Sequence, residues 1–192
     1  MKYNLSQFFI LLISLFCFSA SAQAADQYSF DPEHSYVEWN INHLGFSTQT
    51  GKWFVEGSLL LDPDKAENSQ VKISIKVASM VTGIDELNKH LSSALFFDTA
   101  QFSLASFVST KVKLTGKNTA LVDGLLTLHG ISKPITLKVT LNKLAPNLLS
   151  NKMTAGFTAT TQLKRSDFGI TAFLPEVGDE VGITIGAEAN KI

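Results

Sequence analysis

Four histidines are the side chains of this sequence best suited to acid–base chemistry or to metal binding. They are His34, His43, His90 and His129, and no two of them form an H-x-H or H-x-x-x-H pair. A metal site would therefore have to be assembled from distant parts of the chain. Two interpretations are open for each histidine: a hydrogen-bonded structural residue, or a group that bonds a ligand hydroxyl or carbonyl. We predict no metal site.

The short motifs by which many enzymes hold a nucleophile, a metal or a phosphate are missing from the sequence. It contains no G-x-S-x-G elbow, no H-E-x-x-H pair, no glycine-rich phosphate loop and no dinucleotide fingerprint. Its single cysteine, Cys17, lies in the N-terminal apolar segment, so the rest of the sequence has no thiol nucleophile and no disulfide. We therefore expect no catalytic residue, no enzyme activity and no cofactor.

Two local groups have side chains suited to contact with a ligand. Arg165 and Asp167 share a side of an extended backbone. They either form a local ion pair that steadies the end of a strand or orient a polar head group, since arginine suits phosphate and carboxylate. Phe96 and Phe97 follow a short predicted helix. They either gate an opening or simply hold that helix against the rest of the protein.

Alternation of apolar and polar residues dominates the sequence and predicts the strands that position these side chains. In residues 71–77, valine and isoleucine take one face and lysine and serine take the other. Residues 85–93 differ, because Leu87 and Leu91 are one helical turn apart and predict a short helix. Strands are predicted at residues 28–31, 36–43, 53–61, 71–77, 102–114, 120–128, 135–141, 153–163 and 180–189.

About eight or nine strands, with no linker and no internal repeat, predict an all-β chain with one domain. The number of strands alone leaves a sandwich or a barrel open. Closure into a single antiparallel β-barrel would remove exposed sheet edges, which favours the barrel. An eight-stranded barrel is just wide enough to be filled by side chains or to hold one small ligand.

The alternation also predicts which side chains face the interior of the barrel. Small residues stand next to large ones there, with Phe107 beside Ala105, and Phe157 between Ala155 and Ala159. Two interpretations are open: a filled core, or a hollow interior bordered by aromatic rings. The residues that we predict to face inward and to bind a ligand are Trp39, Ile41, His43, Phe46, Trp53, Val55, Phe107, Leu126, Leu128 and Phe157.

The N-terminal segment predicts export. Residues 1–24 combine Lys2, an apolar run at residues 8–18 and the small-residue pattern Ala22-Gln23-Ala24, which together indicate a cleaved signal peptide. An uncleaved membrane anchor is the alternative, but the apolar run is shorter than the roughly 20 residues that a membrane span needs. We therefore expect a domain of residues 25–192 without stable membrane insertion.

The charge of the sequence excludes one class of partner. With 16 Lys and Arg against 17 Asp and Glu, the formal net charge is −1 at neutral pH. The sequence therefore has no excess of positive charge that would indicate binding to nucleic acid.

A contact at a sheet edge or at the mouth of the barrel would make a homodimer, although no heptad or apolar patch in the sequence indicates one.

Several short segments occur in one order along nearly the whole of residues 25–192. In that order and spacing, the sequence resembles the YceI-like family of periplasmic lipid-binding proteins. Two positions depart from the family pattern: Leu95 stands where an acidic residue is usual, and Phe102-Ser103 where Tyr-Pro is frequent. The segments are residues 31–35 (DPEHS), 42–47 (NHLGFS), 87–91 (LNKHL), 93–98 (SALFFD), 107–110 (FVST), 124–134 (GLLTLHGISKP) and 164–169 (KRSDFG).

The resemblance implies a periplasmic, lipocalin-like barrel with a short helix near one mouth. Such a barrel holds a polyisoprenoid or another long-chain lipid, such as a quinone tail, in its interior. With the helix at the mouth, His90, Phe96, Phe97 and Arg165 join the candidate ligand-binding residues. Two other functions are open: an enzyme that acts on such a lipid with His43 or His90 as its acid–base residue, and a stress-related structural protein with a filled barrel.

Overall fold

The computed structural model describes residues 25–192, and the predicted signal peptide, residues 1–24, lies outside the described residues. The helix α1 is Asp85–Ser92, close to the predicted range. The strands are β1 (Asp26–Phe30), β2 (Tyr36–His43), β3 (Ser47–Phe54), β4 (Glu56–Leu61), β5 (Gln70–Lys76), β6 (Leu104–Leu114), β7 (Thr119–Leu128), β8 (Ile131–Pro146), β9 (Met153–Lys164) and β10 (Val177–Lys191).

Two interrupted strands reduce these ten segments to eight strands of a closed barrel. β1 and β2 follow one another along β10, and β3 and β4, separated only by Val55, pair with β2 and β1. The sheet then continues in chain order through β5 to β10, with every neighbouring pair antiparallel. The pairing of β1 with β10 closes it. The predicted antiparallel barrel of about eight strands with one short helix is confirmed.

The break between β1 and β2 is fixed by the DPEHS segment, residues 31–35. The Asp31 carboxylate accepts the backbone N–H of Glu33 at 2.9 Å and makes a tight turn. Ser35 is fully buried; its hydroxyl donates to the carbonyl of Glu188 at 3.0 Å and accepts the N–H of Glu188 at 3.1 Å. These bonds tie the interrupted first strand to β10, so this segment closes the barrel.

The barrel has two different ends. At the helix end lie α1 with the rest of residues 77–103, the β2–β3 and β7–β8 turns, and residues 165–176. At the terminal end lie both ends of the described chain, the β4–β5 loop, the β6–β7 turn and the β8–β9 loop. Every long connection except the β4–β5 and β8–β9 loops is therefore at the helix end.

A tryptophan cluster closes the interior at the helix end. Its buried members are Trp39, Trp53, Val77, Met80 and Ala105, with Leu91 of α1 and Phe97 packed against them. The rings of Trp39 and Trp53 lie 6.4 Å apart, and Phe97 meets Trp53 edge-on at 5.3 Å. The indole N–H of Trp53 donates to the carbonyl of Val77 at 2.8 Å. We call residues 77–103, which include α1, the helix segment; its Leu91 and Phe97 pack on the tryptophan rings and close this end of the barrel.

Candidate functional site

The interior between the tryptophan cluster and the terminal end is hollow. The cavity measures about 320 Å³, at the lower end of the roughly 300–1,000 Å³ typical of ligand pockets. Aliphatic and aromatic side chains from all ten strands line most of it. They include Val37, Val55, Leu59, Val71, Ile73, Phe107, Val122, Leu126, Leu137, Val139, Phe157, Ile183 and Ile185. Of the two interpretations of the interior, the structure shows the hollow one.

The cavity opens at the terminal end, opposite the helix. The expected position of the helix near the open mouth of the barrel is therefore wrong, because the helix lies at the closed end. Two lining residues at the helix end, Val77 and Ala105, are only 1% and 4% exposed. Of the lining residues in the β4–β5 loop and the β6–β7 turn, Pro63, Lys117 and Asn118 are exposed. We call this opening the mouth. Most polar lining residues therefore lie at the mouth, and the depth of the cavity is largely apolar; those at the mouth are Ser69, Gln70, Lys117, Asn118 and Thr119.

Small residues keep the interior hollow by letting rings lie against the wall. A Cβ at Gly124 would stand 2.3 Å from the tip of the Phe107 ring, so the tip of this ring packs closely against the backbone of β7. In the same way, a Cβ at Gly51 would stand 2.5 Å from the Trp39 ring. Real atoms do not approach so closely. The aromatic rings border the space because glycine on the neighbouring strand leaves them room.

Six of the residues predicted to face the interior line the cavity, and two more lie just beneath it. Trp39 and Ile41 belong to the tryptophan cluster at the floor rather than to the lining. The indole nitrogen of Trp39 is buried without a hydrogen-bond partner in the described part of the chain. The lining residues are Trp53, Val55, Phe107, Leu126, Leu128 and Phe157. Whether they contact a ligand stays a prediction.

His43 and Phe46 lie away from the cavity. His43 is the last residue of β2, half-buried at the helix end, and does not line the interior. The inward orientation predicted for Phe46 is wrong, because the ring is 90% exposed. Leu44 and Gly45 both have positive φ and reverse the chain between β2 and β3. Alternation does not extend through a turn, so it cannot place Phe46.

His90, Phe96 and Phe97 hold the helix segment together. The rings of His90 and Phe96 lie 5.0 Å apart, and Phe173 stacks on Phe96 at 6.1 Å from the connection before β10. Phe96 is only 8% exposed. Phe97 points the other way, into the tryptophan cluster. Of the two interpretations of the Phe96-Phe97 pair, this packing favours the one in which they hold the helix in place.

Arg165 is buried and its guanidinium is occupied by backbone carbonyls. It donates to Gly178 at 2.8 Å, to Val177 at 2.9 Å and to Ile170 at 3.0 Å. Burial lowers its pKa, against the opposing charge of Asp179. The described contacts of Arg165 include no ion pair with Asp167 and no approach to the cavity. Both interpretations of Arg165 are therefore wrong, because its guanidinium bonds backbone carbonyls instead of pairing with Asp167 or facing an open site for a head group.

The remaining histidines make local contacts. The Nδ1 of His129 is 3.0 Å from the carbonyl oxygen of Phe168, and its ring meets Phe102 edge-on at 4.5 Å. His34 bonds Asp31 at 3.1 Å, and this hydrogen bond and charge raise the pKa of the exposed imidazole. Among residues 25–192, no three His, Cys, Asp or Glu side chains are grouped so as to hold a metal ion.

The barrel wall is interrupted between β8 and β9 near the helix end. Cross-strand pairing stops at Lys138 and Thr160, so residues 131–137 pair only with β7 and residues 161–164 only with β10. We call this unpaired stretch the seam. A polar cleft follows it on the outside, and Ile135, Thr161 and Leu163 line both the cleft and the cavity. Only side chains separate the interior from solvent at the seam.

Sequence reasoning missed the residues of the mouth. The Asp62-Pro63-Asp64 and Gly116-Lys117-Asn118 segments have the composition of turns, and that composition says nothing about what the turns enclose. Asp62 accepts bonds from the amide of Asn68 and the backbone N–H groups of Asp64 and Lys65, which lower its pKa and order the β4–β5 loop. Only closure of the barrel shows that these turns surround its opening.

Comparison with known proteins adds to this geometry. A family model described as the YceI-like domain matches residues 28–189. A UPF0312 protein of Pseudomonas putida strain W619 is 42% identical over 155 residues, covering 79% of this chain and 80% of that protein. The crystal structure of Burkholderia cenocepacia BcnA has a TM-score of 0.75 at 25% identity, covering 83% of this chain and 98% of that chain.

A second solved structure has the same fold at lower identity. It is a polyisoprenoid binding domain from Saccharophagus degradans, with a TM-score of 0.68 and 17% identity over 88% of this chain and all of that chain. At this identity the likeness shows the fold alone.

Within residues 25–192, no helix is both long and apolar enough to span a membrane.

Proposed function

The chain belongs to the family of proteins with a YceI-like domain, and on that premise we propose that it binds a long-chain apolar lipid of the polyisoprenoid or quinone type. The lipid's tail lies in the barrel cavity and its polar head at the mouth. The signal peptide predicted at residues 1–24 supports a periplasmic location, where the protein acts as a carrier or reservoir for this lipid.

One observation supports the proposal above the others: the cavity is apolar in its depth, closed by the tryptophan cluster and open at a mouth with exposed polar groups. Burial of apolar surface contributes roughly 25 cal/mol per Å². A prenyl unit that buries on the order of 100 Å² contributes about 2.5 kcal/mol, so a few units offset the estimated 4–15 kcal/mol lost on association. Affinity therefore depends mainly on the length of the tail.

The Saccharophagus domain supports the choice of lipid class, since a barrel of the same fold is described as binding polyisoprenoids. The described histidines support binding rather than catalysis. His34, His90 and His129 make local contacts with neighbouring side chains or backbone, and none of the four histidines lines the cavity. An enzyme that uses His43 or His90 on a bound lipid would require these side chains to reach the interior.

A series of quinones with one head group and increasing numbers of prenyl units tests the proposal. Binding is followed through the fluorescence of the tryptophans, since Trp53 lines the cavity and the ring of Trp39 lies 6.4 Å from the ring of Trp53. We expect affinity to rise by about tenfold or more for each prenyl unit until the cavity is full. The quinone head without a tail is the control. Equal affinity for the head alone and for the long-tailed quinones would refute the proposal.

A further inference from the structure

The β8–β9 loop presents two leucines to solvent at the terminal end. Leu148 is 92% and Leu149 is 96% exposed. The loop is nevertheless well tied together: the side chain of Asn147 accepts the N–H of Leu149 at 2.8 Å, and the backbone of Asn147 bonds that of Lys152 and Asn151, each at 2.8 Å. An ordered loop that holds two adjacent leucines in water has apolar surface available for a partner.

The leucines stand at the same end of the barrel as the mouth. Other exposed apolar side chains lie at the same end, with Leu114 54%, Met153 37% and Ile192 81% exposed. Leu114 also lines the cavity, so exposed apolar surface continues from the rim into the interior. A partner that covers this rim would meet the opening through which a ligand passes.

Charge is divided unevenly over the barrel. Residues 104–164, which form β6 to β9, contain eight lysines and one acidic residue, Asp123, for a formal charge of +7. The other described residues contain seven Lys or Arg and sixteen Asp or Glu, for a formal charge of −9. The small net charge is therefore the sum of a basic half, residues 104–164, and an acidic half, the other described residues.

The basic half includes the β8–β9 loop, residues 147–152, which we call the leucine loop. Lys113 and Lys117 border the β6–β7 turn, Lys143 and Lys152 flank the β8–β9 loop, and all four are exposed. Neither connection contains an acidic residue. Acidic side chains of the mouth, such as Asp64 and Glu67, are on the β4–β5 loop instead. The basic rim and the exposed leucines therefore occupy the same side of the mouth.

We propose that this side of the terminal end docks on the surface of an anionic phospholipid bilayer. Leu148 and Leu149 insert among the acyl chains, and Lys113, Lys117, Lys143 and Lys152 lie against the lipid phosphates. Shallow apolar insertion combined with basic residues is how peripheral proteins bind membranes reversibly. The inference rests on the proposed function, because docking turns the mouth toward the membrane that supplies or receives the bound lipid.

Sedimentation with vesicles tests the docking directly. The full mature protein is mixed with vesicles of phosphatidylglycerol and phosphatidylcholine, or of phosphatidylcholine alone. We expect binding to the anionic vesicles that weakens as salt is raised. We expect the Leu148→Ser/Leu149→Ser variant and the Lys143→Gln/Lys152→Gln variant each to bind these vesicles at least about tenfold more weakly than the wild type. The matched controls are Phe46→Ser, an equally exposed apolar residue at the helix end, and Lys72→Gln/Lys76→Gln on β5, which should bind as wild type.

Three results would overturn the docking proposal: no binding to anionic vesicles, binding unchanged in the leucine variant, or an equal loss in Phe46→Ser. Self-association of the wild type that the leucine variant abolishes, without vesicle binding, would assign the patch to a second copy of the chain. Quinone binding in vesicle-free solution is measured in parallel, and the leucine variant should keep it. Vesicle binding without quinone binding would leave the docking in place and refute the proposed lipid cargo.

Discussion

At the scale of single residues, the side chains with the most distinctive chemistry serve the fold. Arg165 donates to three backbone carbonyls, the Nδ1 of His129 bonds the carbonyl of Phe168, and Ser35 ties the first strand to β10. A residue type indicates what a side chain is able to bind, whereas its neighbours decide what it does bind. In this barrel the nearest polar neighbours of these residues are backbone groups.

Replacement of Arg165 by Lys tests the structural role of the guanidinium. A lysine ammonium lacks the planar fork that reaches Gly178, Ile170 and Val177 together. Hydrogen bonds that involve a charged group contribute about 1.5–3 kcal/mol each, so we expect the free energy of unfolding to fall by about 2 kcal/mol or more. Urea denaturation measures this change, with Asp167→Asn as the control.

Lipid affinity separates the two roles of Arg165. A structural residue that lies away from the cavity should leave quinone affinity unchanged below the unfolding transition. A variant of wild-type stability that has lost affinity would contradict the structural assignment and restore Arg165 as a head-group ligand.

At the scale of elements, alternation was sufficient to predict most of the barrel. One face of each strand is buried, and period two follows directly from that burial. The strand predicted at 53–61 nevertheless begins too late. Residues 47–52 are mostly polar, so alternation does not identify them, but they pair with β2 and form the first part of β3. Residues 130–134 have turn composition, yet Ile131–Pro146 is one strand. Pro134 is tolerated in the seam, where one side of the strand is unpaired.

The same reasoning explains which site residues could be predicted. Trp53, Phe107 and Phe157 lie in the middle of alternating strands, where the inner face is evident from the sequence. Phe46 and Arg165 lie in connections, and the orientation of a connection depends on elements far away in the sequence. Alternation identifies the inner face of a strand, but it does not show which end of the barrel is closed.

Hydrogen exchange at the seam tests the interruption of the barrel wall. Residues 161–164 of β9 pair only with β10, whereas residues 180–184 of β10 pair with β9 and mostly also with β2 at the same height of the barrel. Amides without a cross-strand partner open easily, so we expect alternate amides in 161–164 to exchange at least about tenfold faster than those in 180–184. Equal protection of the two stretches would show that β8 and β9 pair along their full length.

At the scale of the whole molecule, the barrel encloses a cavity that is closed at one end and open at the other. The helix segment and the tryptophan cluster seal the helix end, and the mouth, the exposed leucines and the basic half of the barrel meet at the terminal end. The sequence indicates each part separately. Only the closed barrel places the leucine loop, the lysines and the mouth together, because they come from strands and turns that are distant along the chain.

The central claim is that the interior holds a long-chain lipid, and analysis of the lipid that co-purifies from a bacterial periplasm tests it most directly. Ala159, 5% exposed, lines the cavity, and the next residue, Thr160, faces outward. Ala159→Phe therefore fills the cavity, and Thr160→Phe adds the same ring outside. Both variants should melt cooperatively.

Organic extracts of each protein are then examined by mass spectrometry. We expect a long-chain isoprenoid-type lipid in near-stoichiometric amount from the wild type and from Thr160→Phe, and little from Ala159→Phe. The account would be contradicted by wild-type protein that contains no such lipid and takes up no added quinone or polyprenol, or by a folded Ala159→Phe protein that retains the full amount.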